Sequence, residues 1–558
     1  MLQGNGRGHD GGVPRFESGT AYLDEVLCGG WLRGGVYLIA GPPGTGKTTL
    51  ANQCAYAAAG RGEPTAYVTL HAEAHDRMAL HLSSLRFFDR RHVGRVVHYL
   101  SGTPALKQGG LEAFKRFVGG VVREKGARLL VIDGFSSVKE YAKGPLELRE
   151  LLQALAVQAS LNDCTTLLLS NEVAKGVEPE NAMADGILAL SADLHGLKAT
   201  RGLEVIKFRG SENLPGKHTL TIGREGIKIF PRFEASVTST STKVPDPSRR
   251  VSWGVADLDA MCGGGLVELS NTLVLGSPGS GKTVLGLNFL AEGARAGGKS
   301  LYLGFAETGE ELVRKSSNLG LDLRSLVERG ALRLEARAPV ETLPDELAQE
   351  LTRLVDRDGH TRLFLDGLEP FAKEALDPER TTRFVVAMLN AMRERGVTVL
   401  VTQQTNELFG PELHAPIRGV EAICDNAIFL RYFELYGRLH RLIAVLKMRD
   451  SENDPFLREL ELTPGGVRVG ASYRTVEAVM TGQPRDRRGG AERGDPRGAR
   501  PPGGARAGEA PRGPGRAPER AGGRAAASAP KRPAKPAATS PTKRAAKPAA
   551  KRAGGRRP

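Results

Sequence analysis

Two segments 235 residues apart carry the same pattern, and this repeat constrains the chain more than any other feature. From Ser18 the sequence reads S-G-T-A-Y-L-D-E-V-L-C-G-G and then G-P-P-G-T-G-K-T; from Trp253 it reads W-G-V-A-D-L-D-A-M-C-G-G-G and then G-S-P-G-S-G-K-T. Gly19, Leu23, Asp24, Gly30 and Lys47 thus recur as Gly254, Leu258, Asp259, Gly265 and Lys282. A chain of 558 residues exceeds what one core accommodates, and a period this long marks a tandem duplication of whole domains.

The expected units are residues 15–234 and 249–480. A Ser/Thr/Pro-rich stretch, 235–248, joins them, and a polar, glycine-rich 1–14 precedes them as a flexible start. Within the first unit, short apolar runs (Val36–Ala40, Ala66–Leu70, Arg128–Ile132, Thr165–Leu169) alternate with amphipathic stretches such as Leu146–Ser160. That alternation predicts an α/β fold, a mostly parallel sheet flanked by helices, built twice.

Charge separates a third region. Residues 485–558 hold 21 Lys/Arg against 5 Asp/Glu, a net of +16, while the whole chain is only +15. The basic balance therefore belongs to the tail and not to the two units. Residues 481–558 are Gly, Pro, Ala, Arg and Lys with almost no large apolar side chains, a composition that cannot offset ordering entropy by burial, so disorder is expected. Twelve Lys/Arg and no acids follow Glu519. Such a tail resembles those of linker histones and suits non-specific contact with DNA or RNA phosphates, since it lacks the aromatic residues that stack on bases.

The five cysteines show no C-x-x-C pair and are expected as free thiols of a reducing, cytoplasmic protein, nucleoid-associated if the tail holds it there. No apolar run is long enough to span a bilayer, so no membrane partner is expected.

Gly41–Thr48 and Gly276–Thr283 both satisfy G-x-x-x-x-G-K-[ST] between an apolar strand and a helix. In that setting backbone N–H groups wrap phosphates, the lysine supplies charge to the β and γ phosphates, and the threonine hydroxyl meets Mg²⁺. The nucleotide-binding set is Gly41, Gly44, Gly46, Lys47, Thr48 and Thr49 in the first unit. In the second it is Gly276, Gly279, Gly281, Lys282 and Thr283. Asp133 and Asp366, each closing an apolar run, are the second anchors for Mg²⁺ beside Thr48 and Thr283. Glu73 and Glu307, 26 and 25 residues after their lysines, are the candidates to orient or deprotonate water. ATP and Mg²⁺ are the expected ligands, and hydrolysis to ADP and phosphate the expected reaction.

With the glycine-rich lead-in, the phosphate loops, Lys207-Phe208-Arg209-Gly210 and Lys447-Met448-Arg449, residues 15–475 resemble the KaiC branch of the RecA-like ATPases. The resemblance implies a hexameric ring with ATP between subunits, where Lys207, Arg209, Lys447 and Arg449 reach the neighbour's phosphates. It also implies a switch or platform that answers to another signalling protein. Two departures stand out. The family's strand-terminal Glu-Glu pair has Ala72 or Ala306 as its first member here, and the family's Ser-Thr phosphoacceptors fall on Glu421 and Ala422, so an autokinase cycle is not expected. Two other readings stay open: a RecA- or RadA-type DNA recombination ATPase, favoured by the tail, and a nucleotide-dependent scaffold with little turnover.

Overall fold

In the computed structural model the described residues are 13–70, 75–171, 179–195, 198–237, 241–338, 343–374, 378–405, 417, 419–435 and 438–472. The tail beyond 472 and Glu73 lie outside them.

Each unit is built on one nine-stranded sheet. The first contains β1 (Val36–Ala40), β2 (Thr65–Thr69), β3 (Val97–Ser101), β4 (Leu129–Asp133), β5 (Thr165–Ser170), β6 (Gly186–His195), β7 (Lys198–Phe208), β8 (Lys217–Gly223) and β9 (Gly226–Phe230), in the order β9-β8-β7-β6-β1-β5-β4-β2-β3. The second contains β10 (Asn271–Gly276), β11 (Ser300–Gly304), β12 (Leu332–Ala336), β13 (Arg362–Asp366), β14 (Thr398–Gln404), β15 (Asn426–Leu435), β16 (Arg438–Met448), β17 (Arg458–Thr463) and β18 (Gly466–Ser472). Their order, β18-β17-β16-β15-β10-β14-β13-β11-β12, repeats the first. From β3 to β6, and from β12 to β15, neighbours run parallel, whereas the last three strands of each sheet extend it antiparallel. The alternation of runs had predicted the parallel part; the antiparallel edge carries no such signal.

The central strands are apolar at nearly every position because both faces are covered. Leu129 and Val131 of β4 enter one cluster with Tyr37, Tyr67 and Leu167, while Leu130 and Ile132 enter another with Leu38, Val68 and Leu168. The second sheet divides likewise, Leu363 and Leu365 to one side and Phe364 to the other. Each such side chain, fully removed from water, contributes about 1.5–3 kcal/mol.

The shared lead-in residues have structural work. Asp24 accepts from the Ser18 N–H at 3.0 Å, and Asp259 from the Trp253 N–H at 2.8 Å. A Cβ on Gly30 would lie 2.8 Å from the Phe16 carbonyl oxygen, and one on Gly265 would lie 2.6 Å from that of Val251. Glycine is therefore required where the two-stranded pairs Arg15–Phe16/Trp31–Leu32 and Arg250–Val251/Leu266–Val267 close on that aspartate.

Packing and sequence period are out of step between the units. Helix α2 (Phe233–Ser236) lies against helices α4 (Pro344–Asp358) and α5 (Pro378–Glu394), and Phe233 is buried among Phe371, Phe384 and Leu347 of the second core. Glu234 is bridged by Arg380 at 2.8 Å, and the Phe233 N–H donates to Asp345 at 3.0 Å. Lys228 reaches Glu346 at 3.2 Å, and Arg353 lies over the Tyr22 ring.

Candidate functional site

The phosphate loops bridge β1 to helix α1 (Lys47–Gly60) and β10 to helix α3 (Lys282–Arg295). Both helices start from a glycine in the left-handed region, Gly46 (φ 105°) and Gly281 (φ 107°), with no side-chain cap. The first-turn N–H groups have no intrahelical acceptors, and the helix dipole adds partial positive charge there. A phosphate is the natural complement to such an uncapped end. Gly41 and Gly276 are fixed by space: a Cβ would sit 2.2 Å from the Leu190 carbonyl oxygen in one and 2.7 Å from that of Leu430 in the other. Gly44 and Gly279 complete the turns with φ of 80° and 73°.

Lys47 folds back, its Nζ donating to the Gly41 and Pro42 carbonyls at 2.6 and 3.0 Å; Lys282 does the same to Gly276 and Ser277 at 2.7 and 2.9 Å. Burial lowers both lysine pKa values, and a nearby carboxylate opposes it, Asp133 in the first unit and Asp366 in the second. Thr48 Oγ1 donates to Asp133 Oδ2 at 3.0 Å and Thr283 Oγ1 to Asp366 Oδ2 at 2.8 Å. A tyrosine hydroxyl from the neighbouring strand joins each aspartate: Tyr67 at 2.9 Å and Tyr302 at 3.2 Å. Asp366 also receives the Thr402 hydroxyl at 2.8 Å, where the register puts Leu169 in the first unit. Burial raises the Asp366 pKa even so, with Thr283, Thr402 and Tyr302 pulling it back.

Beside the first loop is a cavity of about 270 Å³ lined by Thr48, Thr49, Thr69, Met78 and Asp133. Beside the second is one of about 230 Å³ lined by Gly279, Gly281, Lys282, Thr283, Glu307 and Lys315. Glu307 Oε1 accepts from Lys315 Nζ at 2.6 Å, while Oε2 is buried with no partner among the described residues. The hydroxyls of Ser277 and Ser280 in the same loop are also buried without partners. Unsatisfied polar atoms of this kind cost about 1–3 kcal/mol each until a ligand or water meets them.

The structure thus gathers Lys47, Thr48, Thr49 and Asp133 at one loop and Lys282, Thr283, Asp366 and Glu307 at the other. It does not bring the basic pairs there. Lys207 Nζ donates to the carbonyls of Asn181, Ala182 and Ala184, and Arg209 to Ala182. Lys447 Nζ donates to those of Glu421, Ala422 and Cys424, and Arg449 pairs with Asp425. What does reach the loops is Arg201, donating to the Gly44 carbonyl at 3.5 Å, and its counterpart Arg441, donating to that of Gly279 at 3.3 Å. Tyr432 also donates to Gly279 at 2.6 Å, under the Arg441 guanidinium. These residues and the two tyrosines on the aspartates escaped the sequence reading. Arg201 and Arg441 each stand six residues before the lysine of the basic pair, and Tyr67 and Tyr302 keep the 235-residue spacing, so comparing the units position by position could have found them.

All five cysteines are free, Cys28 exposed and the others buried. Among the described residues no helix is long and apolar enough to cross a membrane.

The family model for the KaiC ATPase matches residues 16–234 and again 251–474. The circadian clock oscillator protein KaiC of Picosynechococcus sp. is 27% identical over 487 residues, covering 85% of this chain and 93% of its own length. That of Thermostichus vulcanus is 28% identical over 477 residues, covering 83% and 90%, and the circadian clock protein KaiC3 of Synechocystis sp. is 26% identical over 489, covering 85% and 95%. With both repeats matched and the same uncapped, lysine-bearing loop in each, the chain belongs to the KaiC ATPase family.

Proposed function

We propose that the chain is a two-site ATPase, converting ATP and water to ADP and phosphate at both loops and working as a homohexameric switch. The observation that carries this reading is the doubled arrangement of an uncapped helix start, a lysine folded back on the loop carbonyls and a threonine–aspartate pair. ATP would lie with its β and γ phosphates at Lys47 and Lys282 in place of the carbonyls these lysines now hold. Hydroxyl and carboxylate oxygens are hard donors that suit Mg²⁺, so Thr48 with Asp133 and Thr283 with Asp366 would hold it. Bound there, it supplies neutralisation of the phosphate charge. Glu307, with one carboxylate oxygen unengaged among the described residues, orders the attacking water in the second site; Glu73 takes that role in the first.

Assembly as a ring gives Lys207, Arg209, Lys447 and Arg449 a neighbour's phosphates to reach, since within the chain none of the four donates to its own loop among the described residues. Glu421 and Ala422 offer no hydroxyl, so we assign no autokinase cycle. The tail adds sequence-independent nucleic-acid contact. The test is nucleotide stoichiometry with hydrolysis: wild type should retain two nucleotides per chain and release phosphate. Two nucleotides at unchanged affinity in a Lys47→Ala/Lys282→Ala double variant would refute it.

A further inference from the structure

Glu369, three residues past Asp366, has no acidic counterpart in the first unit. Asp133 and Asp366 occupy the same register, opposite Thr69 and Gly304, and the residue three further on is Ser136 in the first unit. Ser136 Oγ accepts from the Asn171 N–H at 3.0 Å and contacts Ser170 Oγ at 3.2 Å, so among the described residues the first unit puts a hydroxyl where the second puts a carboxylate.

The Glu369 carboxylate is moored next to the phosphate loop. Oε1 accepts from the backbone N–H of Gln404, the last residue of β14. Gln404 pairs directly with Gly276, the first glycine of the loop, and the Thr405 N–H donates to the Gly276 carbonyl at 3.1 Å. Oε2 has no hydrogen-bond partner among the described residues and lies over Gly367, where a Cβ would come within 3.0 Å of it. Gly367 is at φ 104°, so the backbone after Asp366 turns in a way that leaves this space and that an L side chain rarely adopts. The charge of Glu369 is felt by Lys282 along with that of Asp366, whereas Asp133 is the carboxylate that acts on Lys47.

Between β11 and the helix that begins at Gly309 there is one glutamate, Glu307, preceded by Ala306. We propose that Glu369 is a catalytic residue of the second site, the second carboxylate there, supplied from the far side of Asp366. Resting on the two-site ATPase reading, it assigns Glu369 as acceptor of the water proton. The water oxygen bonds to the γ-phosphorus, the bond from that phosphorus to the β–γ bridging oxygen breaks and its electron pair leaves with ADP. The proton passes to Glu369 Oε2 and then to solvent. The first site runs without this group, so the two sites differ in the chemical step and not only in affinity.

The experiment uses the full chain with Lys47→Ala, which leaves turnover to the second site, and adds Glu369→Gln or Glu369→Asp. Binding of a fluorescent ATP analogue and phosphate release are measured on each. The expected result for Glu369→Gln is a kcat lower by about 100-fold, within the usual range for a general base, with KM and analogue affinity within about threefold, and recovery of at least about tenfold of that loss in Glu369→Asp. Unchanged kcat in Glu369→Gln overturns the proposal and leaves the ATPase reading standing. So does a parallel loss of kcat and affinity without recovery in Glu369→Asp, which marks a structural mooring only. If Lys47→Ala and the Lys47→Ala/Lys282→Ala double variant release phosphate equally, the second site does not hydrolyse, and the ATPase reading fails there together with the proposal.

Discussion

At the scale of residues, Lys47 and Lys282 each hold two carbonyl contacts, which in the proposed two-site ATPase give way to phosphate oxygens. A charge-assisted bond of this kind contributes about 1.5–3 kcal/mol. Lys47→Ala and Lys282→Ala should each weaken ATP at its own loop by about 10- to 150-fold and leave the other loop unchanged, which titration calorimetry on the single variants would show as one surviving site. The thiols divide as sharply. Burial pushes Cys54, Cys164, Cys262 and Cys424 up to about 12, and Cys28, raised by its partial burial, is nevertheless exposed. A disulfide-exchange reagent should modify one thiol per native chain, faster as pH rises, and all five after unfolding; a second fast thiol would contradict the packing. The phosphate loops and their aspartates were legible in the sequence because their chemistry is carried by contiguous or strand-ending residues. Arg201, Arg441 and Tyr432 were not, because each reaches its loop through strand order and register across a large sequence separation.

Among elements, the strands that hold the loops were visible as apolar runs, while the three-strand antiparallel edge of each sheet was not, since its half-exposed strands mix polar and apolar residues. Strand β8 illustrates how that edge is fixed. His218, fully buried, accepts from the Arg232 N–H at Nδ1 (3.0 Å) and so carries its proton on Nε2, which donates to the Leu214 carbonyl at 3.1 Å. Burial holds its pKa below the ordinary 6.5. The folded state therefore takes up this proton less readily than the unfolded chain. The stability His218 contributes is complete above about pH 6.5 and is lost as pH falls through the lower folded value. Denaturation between pH 7.5 and 5 should show stability falling with acid, and more shallowly in His218→Gln. His98 and His360, also lowered by burial, keep the slope from vanishing. An equal slope in the variant would remove His218 from the account. For helix α2, Phe233→Ala should cost about 3–5 kcal/mol, the usual loss for emptying a buried ring, and should lower the unfolding midpoint of the second unit. A loss confined to the first unit would show that Phe233 belongs to it after all.

For the whole molecule, the two units together are nearly neutral and the tail bears the excess charge. Removing 485–558 should leave ATP hydrolysis unchanged and abolish DNA affinity. The full chain should bind without regard to sequence, its log affinity falling with log salt by about 0.9 per phosphate neutralised. DNA binding by the truncated protein at full strength would place the contact in the ATPase body. Phe233 has a further consequence, one of ancestry and of dissection. A duplication copies sequence at one point, yet the ring that closes the second core comes from before that point. A fragment starting at residue 249 would carry a phenylalanine-sized hole beside Phe384 and Phe371, and one ending at 237 would expose that ring to water. The second unit is then complete only with a splint borrowed from its sibling, and the first carries that splint at its end.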